Sequence, residues 1–95
     1  MYALFLEVNA DEADDEAARE FLPRVAVPRA REAGAKAGYW LATQNGRGIH
    51  VAVFDTEDEA RAVAARFEPG KSPMPDTPTS VTVKTVEVRE VIASV

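Results

Sequence analysis

The chain contains no cysteine, so neither a disulfide framework nor a thiolate metal site can hold it together. A reducing compartment and a cytoplasmic protein are the matching expectation. Only one histidine and one tryptophan occur among the 95 residues. A single histidine with scattered carboxylates is poor material for a transition metal, so neither a metal nor any other cofactor is expected. No apolar run approaches the roughly 20 residues that span a bilayer. No basic or apolar leader precedes the first strand-like segment, and neither secretion nor membrane insertion is expected. Basic clusters are missing as well. With 11 Lys and Arg against 16 Asp and Glu, the net charge is -5, which repels phosphates and speaks against nucleic acid as a partner. Phosphate-cradling glycine loops and nucleophile elbows are absent too.

What remains suits one small domain spanning 1–95. A chain of this size buries only about 60–65% of the surface its unfolded form exposes, so association with a second copy would extend a marginal core.

Residues 2–9, YALFLEVN, alternate between two faces: Tyr2, Leu4, Leu6 and Val8 on one, Ala3, Phe5, Glu7 and Asn9 on the other. Both faces begin apolar, which predicts a strand covered on each side. In residues 11–38, acids crowd the start and bases follow, an order that complements a helix dipole. The acidic run reads as a solvated helix start, with a cation site as the competing reading. Pro23 and Pro28 each remove a donor, which predicts one helix to about Leu22 and a second, irregular piece near 24–33.

Residues 38–44 and 49–55 read as a hairpin around Asn45-Gly46, with Gly48 offering a bulge. Thr56 and Glu59 fit a capping box, and Ala60, Val63, Ala64 and Phe67 make one apolar stripe on the helix that follows. Residues 68–80 form a loop with four prolines, and loops of this length often cover something. In residues 81–95, Val81 and Val83 share one parity and Val86 and Val88 the other, which predicts a bulge near Lys84–Val86. Another slip near Glu90–Val91 would turn the tail toward a different neighbour.

The order is β-α-β-β-α-β, and VNADEADDEAAR and VFDTEDEARA read as two copies of one strand-to-helix junction. A split β-α-β repeat with both helices on one sheet face follows. Its other face is partly apolar and needs a cover, for which a second copy of the chain is the expectation.

LEVNA, a helix with a late Pro28, AGYW, NGRG, VFDTEDEARA and the closing VTVKTVEVREVIAS resemble the dimeric α/β-barrel superfamily. The nearest branch is the small proteins related to antibiotic-biosynthesis monooxygenases, and the resemblance runs from Tyr2 to Ser94. It implies an α+β, ferredoxin-like sandwich with a four-stranded antiparallel sheet, two copies of which close into a homodimeric barrel. It also implies a small-molecule cleft between sheet and helices. Some members oxidise flat aromatic compounds without metal or flavin, others degrade haem, and others only bind ligands. Haem-degrading relatives use an asparagine on the first strand, which Asn9 matches by position, and a histidine on the second helix, where EDEARAVAARF has none. Haem is therefore not expected. The Asn/Trp/Tyr group of the cofactor-free oxygenases has no counterpart in spacing here.

The faces of the hairpin depend on its turn. A three-residue connection groups Tyr39, Leu41, Ile49, Val51 and Val53, and opposes to them Trp40, Ala42, His50, Ala52 and Phe54. A loop of two or four residues puts Trp40 with the valines. The first is preferred, because one face is then uniformly aliphatic and Gly48 takes the left-handed position. With the first strand beside the third, Leu4, Leu6 and Val8 would continue the aliphatic face, and Phe5, Glu7 and Asn9 would neighbour His50 and Phe54.

The candidate site follows from that grouping. His50 and Asn9 are the catalytic candidates, as proton acceptor and orienting donor. Trp40, Phe54, Phe5, Glu7 and Arg89 are the ligand-binding candidates, for a small aromatic or hydrophobic molecule. Each has a blander reading: a packed His50, a core or interface Trp40, a Glu7–Arg89 ion pair across strands, and an Asn9 that ends its strand or caps the next helix. Two functions compete: a cofactor-free, monooxygenase-like enzyme, and a non-catalytic ligand-binding or interaction module.

Overall fold

Alternation in the first strand sets the layers. The computed structural model describes residues 1–74 and 80–95. Its elements are β1 (Tyr2–Asn9), α1 (Asp14–Phe21), a π-helical turn (Leu22–Ala26), α2 (Val27–Glu32), β2 (Ala37–Gln44), β3 (Arg47–Phe54), α3 (Glu57–Ala64) and β4 (Thr82–Glu90). The strands form one antiparallel sheet in the order β2-β3-β1-β4. This is the expected α+β architecture, compatible with a ferredoxin-like fold.

Leu4 and Leu6 point to the helix-covered face and are buried with Ala52, Phe54 and Val83 of the sheet and Ala60 and Val63 of α3. The apolar stripe of α3 supplies that contact, with Ala64 and Phe67 packed at its margin. The Thr56 N-cap forms as expected, with the Glu59 carboxylate meeting the Thr56 hydroxyl and not its amide. The Thr56 hydroxyl oxygen accepts from the Glu59 amide at 3.2 Å and donates to the Glu59 carboxylate at 3.1 Å.

The first helix ends at Phe21, close to the expected Leu22, and a second, irregular piece follows it. The helical path continues to Glu32, and the irregularity is confined to the wide turn over Leu22–Ala26. There the Val27 amide donates to the Leu22 carbonyl, five residues back. The acids at the helix start serve the local backbone: Asp11 accepts from the Ala13 amide, and Asp14 from the Asp11 amide, both at 3.0 Å.

The hairpin corrects one expectation and keeps its consequence. Asn45 and Gly46 have φ of 55° and 76°, a two-residue turn of the kind that matches strand twist. Register then slips between Leu41 and Gln44, so Trp40 pairs with His50, as a three-residue connection would also have arranged. Gly48 does not hold the left-handed position. A Cβ placed on it would lie 2.9 Å from the Val8 methyl, so close approach of β1 explains the glycine.

On β4, Glu7 pairs with Thr85 and Val8 with Val83, which leaves Lys84 as the bulged residue. The extra residue reverses the parity, and Val83, Val86 and Val88 all reach the core side. The bulge thus lies within the range the valine pattern marked. The strand stops at Glu90 instead of running to 95. Beyond it, the Val91 amide donates to the Met1 carbonyl at 2.9 Å, and Ile92 is 95% exposed.

The start of the proline-rich loop is tied to β4. The Gly70 amide donates to the Val83 carbonyl, and the Val83 amide to the Lys71 carbonyl, each at 2.8 Å. Residues 75–79 of that loop lie outside the described residues. Among the described residues, no helix is long and apolar enough to cross a membrane.

Candidate functional site

Between the sheet and the first helix lies a cavity of about 590 Å³, within the range that encloses a small organic ligand. Its origin is legible in residue size. The helical segment turns Ala18, Ala26, Ala30 and Ala33 toward this space, and β3 contributes Gly48. Methyl groups are too short to fill the gap between two layers, so the larger side chains, Phe21, Leu22, Phe67 and Met74, form walls around a void.

Trp40 and His50 line this cavity from neighbouring positions on β2 and β3. Their rings stack at a centroid distance of 4.2 Å with 9° between planes. His50 is only 9% exposed, and its Nε2 is buried with no hydrogen-bond partner among the described residues. Burial pushes the imidazole pKa down to about 4, because charging it in an apolar surround forfeits hydration. At neutral pH the ring is uncharged, and one side of it lacks a partner among the described residues.

Asp15 holds one edge of the cavity closed. Its carboxylate accepts from the Thr43 amide at 2.9 Å and from the Thr43 hydroxyl at 2.6 Å, joining α1 to β2. Those hydrogen bonds, the hydroxyl first, keep the Asp15 pKa below the usual carboxylate range. Sequence reasoning passed over Asp15 and Thr43, since 28 residues separate them. It also missed Phe21 and Leu22, although the spacing Ala17, Ala18, Phe21, Leu22 was there as an apolar stripe.

The seven candidate residues do not assemble into one site. Direct pairing of Leu6 with His50 and Leu4 with Ala52 puts the even-numbered residues of β1 and β3 on the helix face. Phe5, Glu7 and Asn9 therefore share the opposite, open face with Ile49, Val51 and Val53, not with His50. Arg89, paired with Ala3, stands on that open face too. The expectation failed because alternation defines two faces for each strand but does not say which face of β1 meets which face of β3.

The open-face residues have their own partners. Glu7 pairs with Arg47, accepts from the Thr85 hydroxyl at 3.2 Å and lies 4.0 Å from Lys84. The Arg47 hydrogen bond leads in keeping its pKa low. Arg89 pairs with Glu87 at 2.6 Å and sits opposite Ala3, four residues from Glu7 along β1, so the alternative Glu7–Arg89 bridge is not formed. Asn9 is exposed, ends β1 and donates to the Thr82 hydroxyl at 3.3 Å. It caps no helix, for α1 starts at Asp14 with Ala13 in the cap position and no side-chain cap. Phe54 lies on the helix face but is fully buried in the core and does not line the cavity. Of the seven, Trp40 and His50 alone line the cavity.

No family model matches the chain, and no curated protein or solved structure shows significant similarity to it.

Proposed function

We propose that this protein is a small-molecule-binding domain of the dimeric α/β-barrel kind, holding a flat hydrophobic or aromatic compound between its sheet and its first helix. Trp40 is the stacking surface and His50 the polar anchor. One observation carries the reading: a nine-tenths buried imidazole on the wall of an apolar cavity, its Nε2 unpartnered among the described residues. Leaving such an atom unsatisfied costs about 1–3 kcal/mol, and a hydroxyl or carbonyl oxygen of a ligand supplies the missing hydrogen bond. The cofactor-free oxygenase reading joined His50 as base to Asn9 as orienting donor. Those side chains stand on opposite faces of the sheet, and an imidazole titrating at about 4 is a weak base near neutrality. Both facts support recognition over turnover.

Thermal melting against naphthols, quinols and flat polyketide-like molecules tests the proposal. A compound at 100 times its dissociation constant adds about 2.7 kcal/mol, a rise of roughly 10–20 °C for a domain of this size. The rise should be lost in Trp40→Ala. A panel that leaves the melting temperature unmoved overturns the reading.

The homodimer belongs to the same proposal. Phe5 and Tyr39 flank Val51 in register on the open face, and Tyr39 and Leu41 are 64% and 53% exposed in the single chain. Sheet-to-sheet association would remove that apolar strip from water. Light scattering should show a dimer at micromolar concentration and a monomer for Val51→Lys. A monomeric wild type would contradict the dimer while leaving the cavity proposal intact.

A further inference from the structure

The charged groups on the cavity wall divide into those the protein engages and those it leaves open. Asp15 is held by Thr43, and Asp14 accepts from the Asp11 amide. Arg29 on α2 and Arg66 beyond the end of α3 line the same cavity. Both are exposed. Among the described residues neither makes an ion pair. Arg19, Arg24 and Arg31 are unpaired there as well, but they do not line this cavity, and Lys36, Arg47, Arg61, Lys71, Lys84 and Arg89 are all engaged. In a chain with an excess of carboxylates, two unpaired guanidinium groups at one apolar chamber offer their donors to an anion from outside. The chamber's other unmet demand is His50 Nε2, deep and uncharged. A ligand satisfying both has an apolar body, an oxygen within it, and a negative end that stays at the wetted rim. A carboxylate placed there avoids the cost of full dehydration.

Resting on the cavity reading above, we propose that the ligand is an amphipathic carboxylate. Its body lies against Trp40, Phe21 and Phe67, a hydroxyl or carbonyl oxygen meets His50, and its carboxylate meets Arg29 and Arg66. The interior then contributes affinity by apolar burial, and the two arginines select acids over neutral molecules of the same shape.

Titration calorimetry at pH 7 with matched pairs tests this: 6-hydroxy-2-naphthoic acid with 2-naphthol, and decanoic acid with 1-decanol. The acid of at least one pair should bind about tenfold more tightly than its neutral partner, as hydrogen bonds to a charged group imply. Added salt should narrow the gap. Arg29→Gln combined with Arg66→Gln should abolish the preference and leave binding of the neutral partner unchanged. Arg24→Gln should alter nothing, since Arg24 is exposed on the same helical segment but does not line the cavity. Neutral partners that bind as tightly as the acids, or a preference that survives the double substitution, would overturn the carboxylate while the cavity proposal stood. No binding by any of the four compounds would remove the cavity proposal and this inference with it.

Discussion

Phe54→Ala should lower the stability of the domain by about 3–5 kcal/mol, the range for removing a buried aromatic ring. Phe54 is among the largest fully buried side chains, packed with Leu4 and Ala60 in the core cluster. Domains of this length have a total stability on the order of 5–14 kcal/mol, so the loss is a large share. Urea or thermal unfolding checks it, with a fall in melting temperature of roughly 15–30 °C expected. Phe54→Leu keeps most of the apolar volume and should cost about 1 kcal/mol. That milder variant separates core from site. Because Phe54 does not line the cavity, Phe54→Leu should bind cavity ligands as the wild type does. A tenfold loss of binding with a small loss of stability would restore Phe54 to the site and contradict this geometry.

His50→Leu should behave in the opposite way. Leucine matches the imidazole roughly in size and removes a buried polar atom that has no partner among the described residues, so the ligand-free protein should gain about 1–2 kcal/mol. Binding of any ligand that uses Nε2 should weaken by about tenfold, the value of one well-placed hydrogen bond. A packing histidine would give the reverse pattern, with lost stability and no change in binding.

The same variant isolates a pH effect. The folded pKa of His50 is about 4, against 6.5 for the free side chain. Between those values the unfolded chain takes up a proton that the folded chain refuses, so stability falls as pH falls through this window. The difference corresponds to about 3 kcal/mol between pH 7 and pH 4. His50→Leu should lack this component. Glu7 and Asp15, held low by Arg47 and Thr43, also lose stabilisation on acidification. Their window lies below the ordinary carboxylate values, and they do so equally in wild type and variant. Unfolding curves from pH 4 to pH 7 that run parallel for the two proteins would remove the buried, neutral His50 from the account.

Local chemistry was legible in particular residues. Asn45-Gly46 marked the turn because both residues accept positive φ. Thr56 and Glu59 marked the start of α3, where the Thr56 hydroxyl caps the Glu59 amide. The change of parity between Val83 and Val86 marked a bulge near Lys84–Val86, since one extra residue is what returns a valine to the core side, and the register puts it at Lys84. Of the candidate site, the shared face of Trp40 and His50 was expected, but from a three-residue connection. The turn has two residues, and it is the register slip between Leu41 and Gln44 that brings the two together. The company of that pair was not legible. Glu7, Asn9 and Arg89 carry polar groups as suitable for a ligand as any in the chain, yet they face away from the cavity.

The sequence by itself determined the order of elements, the α+β class, the hairpin, the cap and the bulge, because each rests on interactions between residues near one another along the chain or on the period of a single strand. Only the tertiary structure decided which face of β1 aligns with which face of β3, that the first helix presents alanines to the sheet, and that Phe54 fills the core while His50 Nε2 lacks a partner among the described residues. Those outcomes depend on contacts between elements far apart in sequence, where apolar burial chooses among pairings that local pattern leaves equal. The cavity is the clearest case: it is the space that small side chains from one layer leave opposite another, and no single segment encodes it.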